Sequence, residues 1–181
     1  MELTHGRPAD CAGREARETA VYDLLDRLAI PYQRADHEET NTMEACSEVD
    51  KVLGVTICKN LFLCNRQETN FYMLMMPGTK PFKTSVVSKL VGSARLSFAD
   101  ARYMEAFLHI RPGAVSVMGL MNDTERRVQL LIDREVAESE FLGCHPCVST
   151  TSLKLRTQDM LTTFLPATGH EPIVLDLPWD A

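Results

Sequence analysis

Ile57-Cys-Lys-Asn-Leu-Phe-Leu-Cys-Asn-Arg-Gln-Glu-Thr-Asn-Phe-Tyr-Met-Leu-Met-Met76 reads as two β-strands, 57–64 and 70–76, joined by the polar turn 65–69. Upstream, Val21, Leu24, Leu25 and Leu28 fall at i, i+3, i+4 and i+7. That spacing predicts an amphipathic helix over 14–29, ended by Pro31, with a short extended segment from Tyr32. A second helix is predicted over 42–53, capped by Asn41 or Thr42 and closed by Gly54. Downstream, helices starting near Thr84 and Asp100 alternate with strands at 95–98, 128–132, 148–155 and 173–175. A short helix from Thr157 is expected to end near Leu165-Pro166. Helices interspersed among short strands predict an α/β fold with a mixed sheet flanked by helices. Residues 1–13 are polar and aperiodic and are expected to form a flexible tail. Neither a repeat nor a linker interrupts 14–181, which predicts a single domain there.

The chain has 181 residues, 45% of them hydrophobic, enough to bury one full core. A net charge of −6 argues against an indiscriminate nucleic-acid binder, DNA included. It leaves room for a local basic patch that grips the end of one RNA. Apolar runs such as Tyr72-Met-Leu-Met-Met76 fall far short of the ~20 residues that cross a bilayer. The N-terminus shows no apolar segment of signal-peptide type, so a cytoplasmic protein without a membrane partner is expected.

Cysteines stand at 11, 46, 58, 64, 144 and 147, and in that setting reduced thiols are expected. Cys46 shares a helix face with Met43, Val49 and Leu53 and reads as core. Cys144-His-Pro-Cys147 is a C-x-x-C motif, the basis for a thiol oxidoreductase reading. Strand-like residues follow it, however, instead of the helix whose N-terminus would activate a thiol. No second ligand pair stands at zinc spacing, so no metal or cofactor is expected.

Other local constellations carry more chemistry. Lys59 lies inside an apolar strand, where its ammonium needs partners or a cleft. Asn60 points to the opposite face by the two-residue period of a strand. In Arg111-Pro-Gly-Ala-Val-Ser-Val-Met-Gly-Leu-Met-Asn-Asp123, glycines bracket small residues. Such a loop can aim backbone N–H groups at an ester carbonyl or its oxyanion. His145, before Pro146, can orient a substrate or relay a proton near neutral pH. Gly169-His-Glu-Pro172 reads as a turn into the last strand, with His170 structural.

Taken in order, Cys58-Lys-Asn-Leu-Phe-Leu63, Pro112-Gly-Ala-Val-Ser116 with Gly119-Leu120 and Asn122-Asp123, His145-Pro146 and Gly169-His-Glu-Pro172 carry a resemblance. The chain resembles the YbaK/prolyl-tRNA-synthetase-associated editing family, and within it the free-standing Ala-tRNA(Pro) deacylases (ProXp-ala or PrdX). The resemblance runs from about residue 14 to 177. It implies a curved mixed sheet flanked by helices and hydrolysis of the ester on mischarged tRNA(Pro). It implies Lys59, Gly113 and His145 as catalytic residues, with Asn60, Ala114, Val115, Ser116, Val117 and Pro146 binding substrate. Water would be the attacking species, without metal or cofactor. The partners implied are the aminoacylated acceptor end of tRNA(Pro) and prolyl-tRNA synthetase, with Lys51, Lys80, Lys83, Lys89 and Arg95 as candidates for phosphate contacts. The chain departs from the family at Val117, where a proline usually stiffens the loop, and at Cys147 and Ser149, where asparagines usually follow the His-Pro pair. These departures keep alternatives open: a silent tRNA- or synthetase-binding relative, or an editing enzyme for cysteine or serine.

Overall fold

The computed structural model of the chain describes residues 1–40 and 42–180. In chain order the elements are β1 (Leu3–His5), α1 (Ala16–Arg27), β2 (Tyr32–Asp36), α2 (Met43–Leu53), β3 (Lys59–Asn65) and β4 (Phe71–Met76). Then come α3 (Thr84–Leu90), β5 (Leu96–Phe98), α4 (Ala101–Leu108), a 3-10 helix (Val117–Asn122), β6 (Val128–Asp133) and α5 (Arg134–Ala137). The chain closes with β7 (Phe141–Cys144), β8 (Thr151–Arg156), α6 (Thr157–Asp159), a π turn (Met160–Phe164), α7 (Leu165–Thr168) and β9 (Ile173–Leu175).

The hairpin forms with Lys59 opposite Met76 and Cys64 opposite Phe71. It is the centre of a five-stranded sheet ordered β5-β3-β4-β6-β9. Its β3 pairs antiparallel with β4 and β5, while β4, β6 and β9 run parallel. A second, antiparallel sheet is ordered β1-β2-β8-β7. The architecture is therefore mixed α/β, with the sheet divided in two.

Alternation along the hairpin explains why both strands are apolar on both faces. Phe62, Cys64, Met73 and Met75 join the main core with α1, α4 and β8. Leu63, Leu74 and Met76 join a second core under Val87 of α3 and Leu175 and Leu177 near the C-terminus. A sheet covered on both faces has no solvent side to spend polar residues on.

Several expectations are corrected. Residues 1–13 are not a loose tail, because Leu3–His5 pairs antiparallel with β2 and Arg7 bridges Asp23 and Asp26 of α1. Backbone pairing captured a segment whose side chains show no period. The last helix runs past Pro166 to Thr168: the backbone stays helical through the π turn, where Leu165 N–H reaches back to the Met160 carbonyl, and proline follows directly on that wider turn. The strand expected from Val148 starts at Thr151, and α5 and β7 appear where only a loop was read. Thr42 caps α2, its Oγ1 accepting from Ala45 N–H at 3.1 Å, and Gly54 closes it at φ 70°. Asn41 and the Met43 side chain lie outside the described residues. Cys46 is exposed, not core; among the described residues it is the C-terminal half of α2, through Val49 and Leu53, that packs on Ala35 of β2.

Candidate active site

One contact joins the two sheets and decides where the site lies. Ile57, just before β3, forms a parallel bridge with Gly143 of β7. Two residues further along each strand stand Lys59 and His145, so the bridge sets them side by side. Gly143 permits this approach: a β-carbon there would lie 3.1 Å from Ile57 Cγ1 and 3.4 Å from its Cα.

Lys59 Nζ donates to the Lys80 carbonyl at 2.7 Å, which fixes the direction of its stem. Lys80 is locked in turn. It is 2% exposed, and its ammonium reaches Asp133 Oδ2 at 2.8 Å, the Leu177 carbonyl at 2.7 Å and Glu135 at 2.5 Å. Burial works to discharge that ammonium, but its bonds to Asp133 and Glu135 hold the pKa above the usual lysine value. Lys80 is thus unavailable to phosphate, whereas Lys83, Lys89 and Arg95 are exposed. Lys51 is exposed too and pairs with Glu48.

His145 Nδ1 lies 2.8 Å from the Thr151 carbonyl, which can only accept. The proton therefore sits on Nδ1, and Nε2 keeps its lone pair. Burial pushes the imidazole pKa down, and nearby His37 adds to that, so the ring is neutral near pH 7. His37 donates from Nδ1 to the Glu38 carbonyl at 2.7 Å, and when neutral its Nε2 accepts from the Ser152 hydroxyl at 2.8 Å.

These groups share one cavity of about 230 Å³, walled by Lys59, His145, His37, Ser152 and Asp50 with Thr40, Cys46, Val49, Ile57, Cys58 and Gly78. Sequence reasoning missed His37, Asp50 and Ser152. They come from three separate elements, and no local spacing marks them. A histidine directly after a strand end and an aspartate four residues before a helix-closing glycine were the only available signals.

The other expected site residues lie elsewhere. Asn60 faces away from Lys59; its Nδ2 donates to the Cys58 carbonyl, and its Oδ1 is buried without a partner among the described residues. Residues 113–117 do not wall the cavity. Gly113 is exposed, while Ala114, Ser116 and Val117 are buried and Val115 is half-buried against the main core. Ala114 N–H bonds the Arg111 carbonyl, and Ser116 Oγ caps the 3-10 helix at Met118 N–H. The loop reaches the site only indirectly, through Ser116 against the Cys144 thiol next to His145. Pro146 is buried beside His145.

The remaining motifs are fasteners. Asp123 accepts from Arg127 and Val128 N–H and from His170 Nε2 at 2.9 Å. Asn122 Nδ2 ties to the Leu108 carbonyl. Burial raises the Cys58 thiol to about 11 and the Cys147 thiol to about 12, and pushes Cys144 up as well. Cys144 ends a strand rather than opening a helix, so the C-x-x-C pair lacks the activating geometry of a thiol oxidoreductase.

Comparison with known proteins now adds to this geometry. The aminoacyl-tRNA editing domain family matches residues 37–163, a span holding Lys59, His145 and every wall of the cavity. The chain belongs to the aminoacyl-tRNA editing domain family. This editing domain is 29% identical over 155 residues to prolyl-tRNA synthetase associated domain-containing protein 1 of Danio rerio, covering 84% of this chain and 83% of that one. It is 27% identical over 141 residues to the prolyl-tRNA editing protein ProX of Acetoanaerobium sticklandii, covering 78% and 86%. In fold it resembles a crystal structure described as a candidate trans-editing enzyme for prolyl tRNA synthetase, with a TM-score of 0.64 at 12% identity, covering 91% of this editing domain and 99% of that chain. Among the described residues, no helix of the editing domain is long and apolar enough to cross a membrane.

Proposed function

We propose that the protein is a trans-editing deacylase that hydrolyses the ester of mischarged tRNA(Pro), with alanine as the amino acid removed. The observation that carries this reading is the cavity where the Ile57–Gly143 bridge sets a fixed lysine beside a neutral histidine. Family membership and the names of the relatives support it.

The chemistry follows from the groups present. Water attacks the ester carbonyl, the bond to the terminal ribose breaks, and the ribose hydroxyl leaves. Lys59 supplies a fixed positive charge to the acceptor end or to the oxyanion that forms. His145 Nε2 takes a proton from the attacking water and gives it to the departing ribose oxygen, while the Thr151 carbonyl stabilises the imidazolium through Nδ1–H. A synthetase built for proline rejects the smaller alanine by only ~1–3 kcal/mol, which is why a second, hydrolytic site is needed. The cavity is small and is walled by Cys46, Val49 and Ile57, which suits a short side chain.

The test is a deacylation panel on tRNA(Pro) charged with alanine, serine, cysteine and proline, with Lys59→Ala as control. Release of alanine is expected, with the variant slower by about 10²–10³-fold. Equal background release by both proteins overturns the reading. A second reading has one observation in its favour. Residues 113–117 stand apart from the cavity, and Val117 replaces the family's proline. A silent tRNA- or synthetase-binding relative would bind every charged tRNA in the panel and turn over none. Release of serine or cysteine in preference to alanine would keep the deacylase and change its amino acid.

A further inference from the structure

Asp50 is the acidic wall of the cavity. One of its oxygens, Oδ1, accepts from Ile57 N–H at 3.2 Å and so fastens the turn after α2. Among the described residues, no basic side chain forms an ion pair with the carboxylate. Lys59, the cation in the same cavity, is held by the Lys80 carbonyl instead. The carboxylate is half-buried, and its pKa is pushed up by that burial and only partly restored by Ile57 N–H. A desolvated carboxylate with one oxygen unspent is stabilised most by a cation that brings its own N–H donors.

We propose that Asp50 reads the α-ammonium of the aminoacyl ester through its unspent oxygen. An aminoacyl ester carries one cation on its amino-acid part, and it lies one carbon from the carbonyl that water must attack. A cavity holding a carboxylate, a fixed ammonium and short aliphatic walls complements that group: ammonium on Asp50, ester beside Lys59 and His145, side chain against Val49 and Ile57. The consequence is a specificity the family name does not state. An N-acylated or peptidyl ester has no ammonium and would leave Asp50 desolvated and unpaired. The enzyme would therefore spare peptidyl-tRNA while clearing aminoacyl-tRNA. Proline keeps its ammonium, so Asp50 does not separate alanine from proline; cavity size does.

This inference rests on the deacylase reading, and the experiment separates the two. Wild type and Asp50→Asn are compared on alanyl- and N-acetylalanyl-tRNA(Pro). Wild type is expected to prefer the free amine by about tenfold to a hundredfold in kcat/KM, the size of one charge-assisted hydrogen bond. Asp50→Asn is expected to lose that preference, with KM carrying most of the change. Asparagine keeps an oxygen for Ile57 N–H, so the turn is retained. Binding of 3′-alanylamino-3′-deoxyadenosine and its N-acetyl derivative is measured alongside. A preference for the free amine that vanishes in Asp50→Asn upholds the role of Asp50 even where wild type hydrolyses neither ester. In that case only the deacylase reading fails. No preference in wild type, or an equal loss on both ligands in the variant, overturns the assignment.

Discussion

His145 is useful to the proposed chemistry only in its neutral form. Burial holds its pKa below the ordinary 6.5, and His37 pushes the same way. The sign is therefore fixed: as pH falls from 8, the lone pair on Nε2 survives past the point where a free imidazole would protonate. The acid limb of kcat/KM is expected below pH 6.5, read from deacylation rates between pH 5 and 8. A limb above 6.5 would mean that another group supplies the base. Lys59 and His145 were legible as residues because each carries a local oddity, a lysine in an apolar strand and a histidine before proline. Asp50 was not. On a helix three residues from its end, an aspartate looks like any solvent-facing charge, and only the docking of α2 on β2 and β8, with Ile57 N–H beneath it, turns it inward.

At the scale of elements, the joint between β3 and β7 decides whether a site exists. Gly143→Val would place methyl groups where Ile57 now sits at van der Waals distance. A destabilisation of about 1–3 kcal/mol is expected from overpacking, measured by urea denaturation. Deacylation should fall further than stability alone explains, because Lys59 and His145 separate. The hairpin at the centre of the sheet was readable because strand runs and a polar turn are local signals. β1 and β7 were not, since three- and four-residue strands depend on partners distant in the chain: Leu3–His5 on β2, Phe141–Cys144 on β8. Cys46 shows the limit of periodicity. The spacing put it on a helix face that meets the body of the protein, but among the described residues the apolar contact of α2 with that body is made by Val49, Val52 and Leu53, and Cys46 stands at the rim of the cavity.

Across the whole molecule, the net charge of −6 means that any grip on RNA rests on a local patch, for which Lys83, Lys89 and Arg95 are exposed. Lys80, one of the lysines the sequence offered for phosphate contacts, is spent internally on Asp133 and Glu135. Lys80→Met would leave Asp133 buried without its cation, a loss of about 3–5 kcal/mol that thermal unfolding would report. Replacing Asp133 as well, by leucine, should recover part of that stability but not the activity, because the turn carrying the Lys80 carbonyl would lose its anchor to the Leu177 carbonyl.

That anchor has a practical side. The Leu177 carbonyl holds the Lys80 ammonium, the Lys80 carbonyl holds Lys59, and Trp179 lies 5.0 Å from the same ammonium. An affinity tag joined directly after Trp179, or a protease nick between Leu175 and Trp179, would tug on Lys59 without touching the cavity. Preparations handled at that end should be compared with ones tagged at the other before any absence of turnover is taken as a property of the protein.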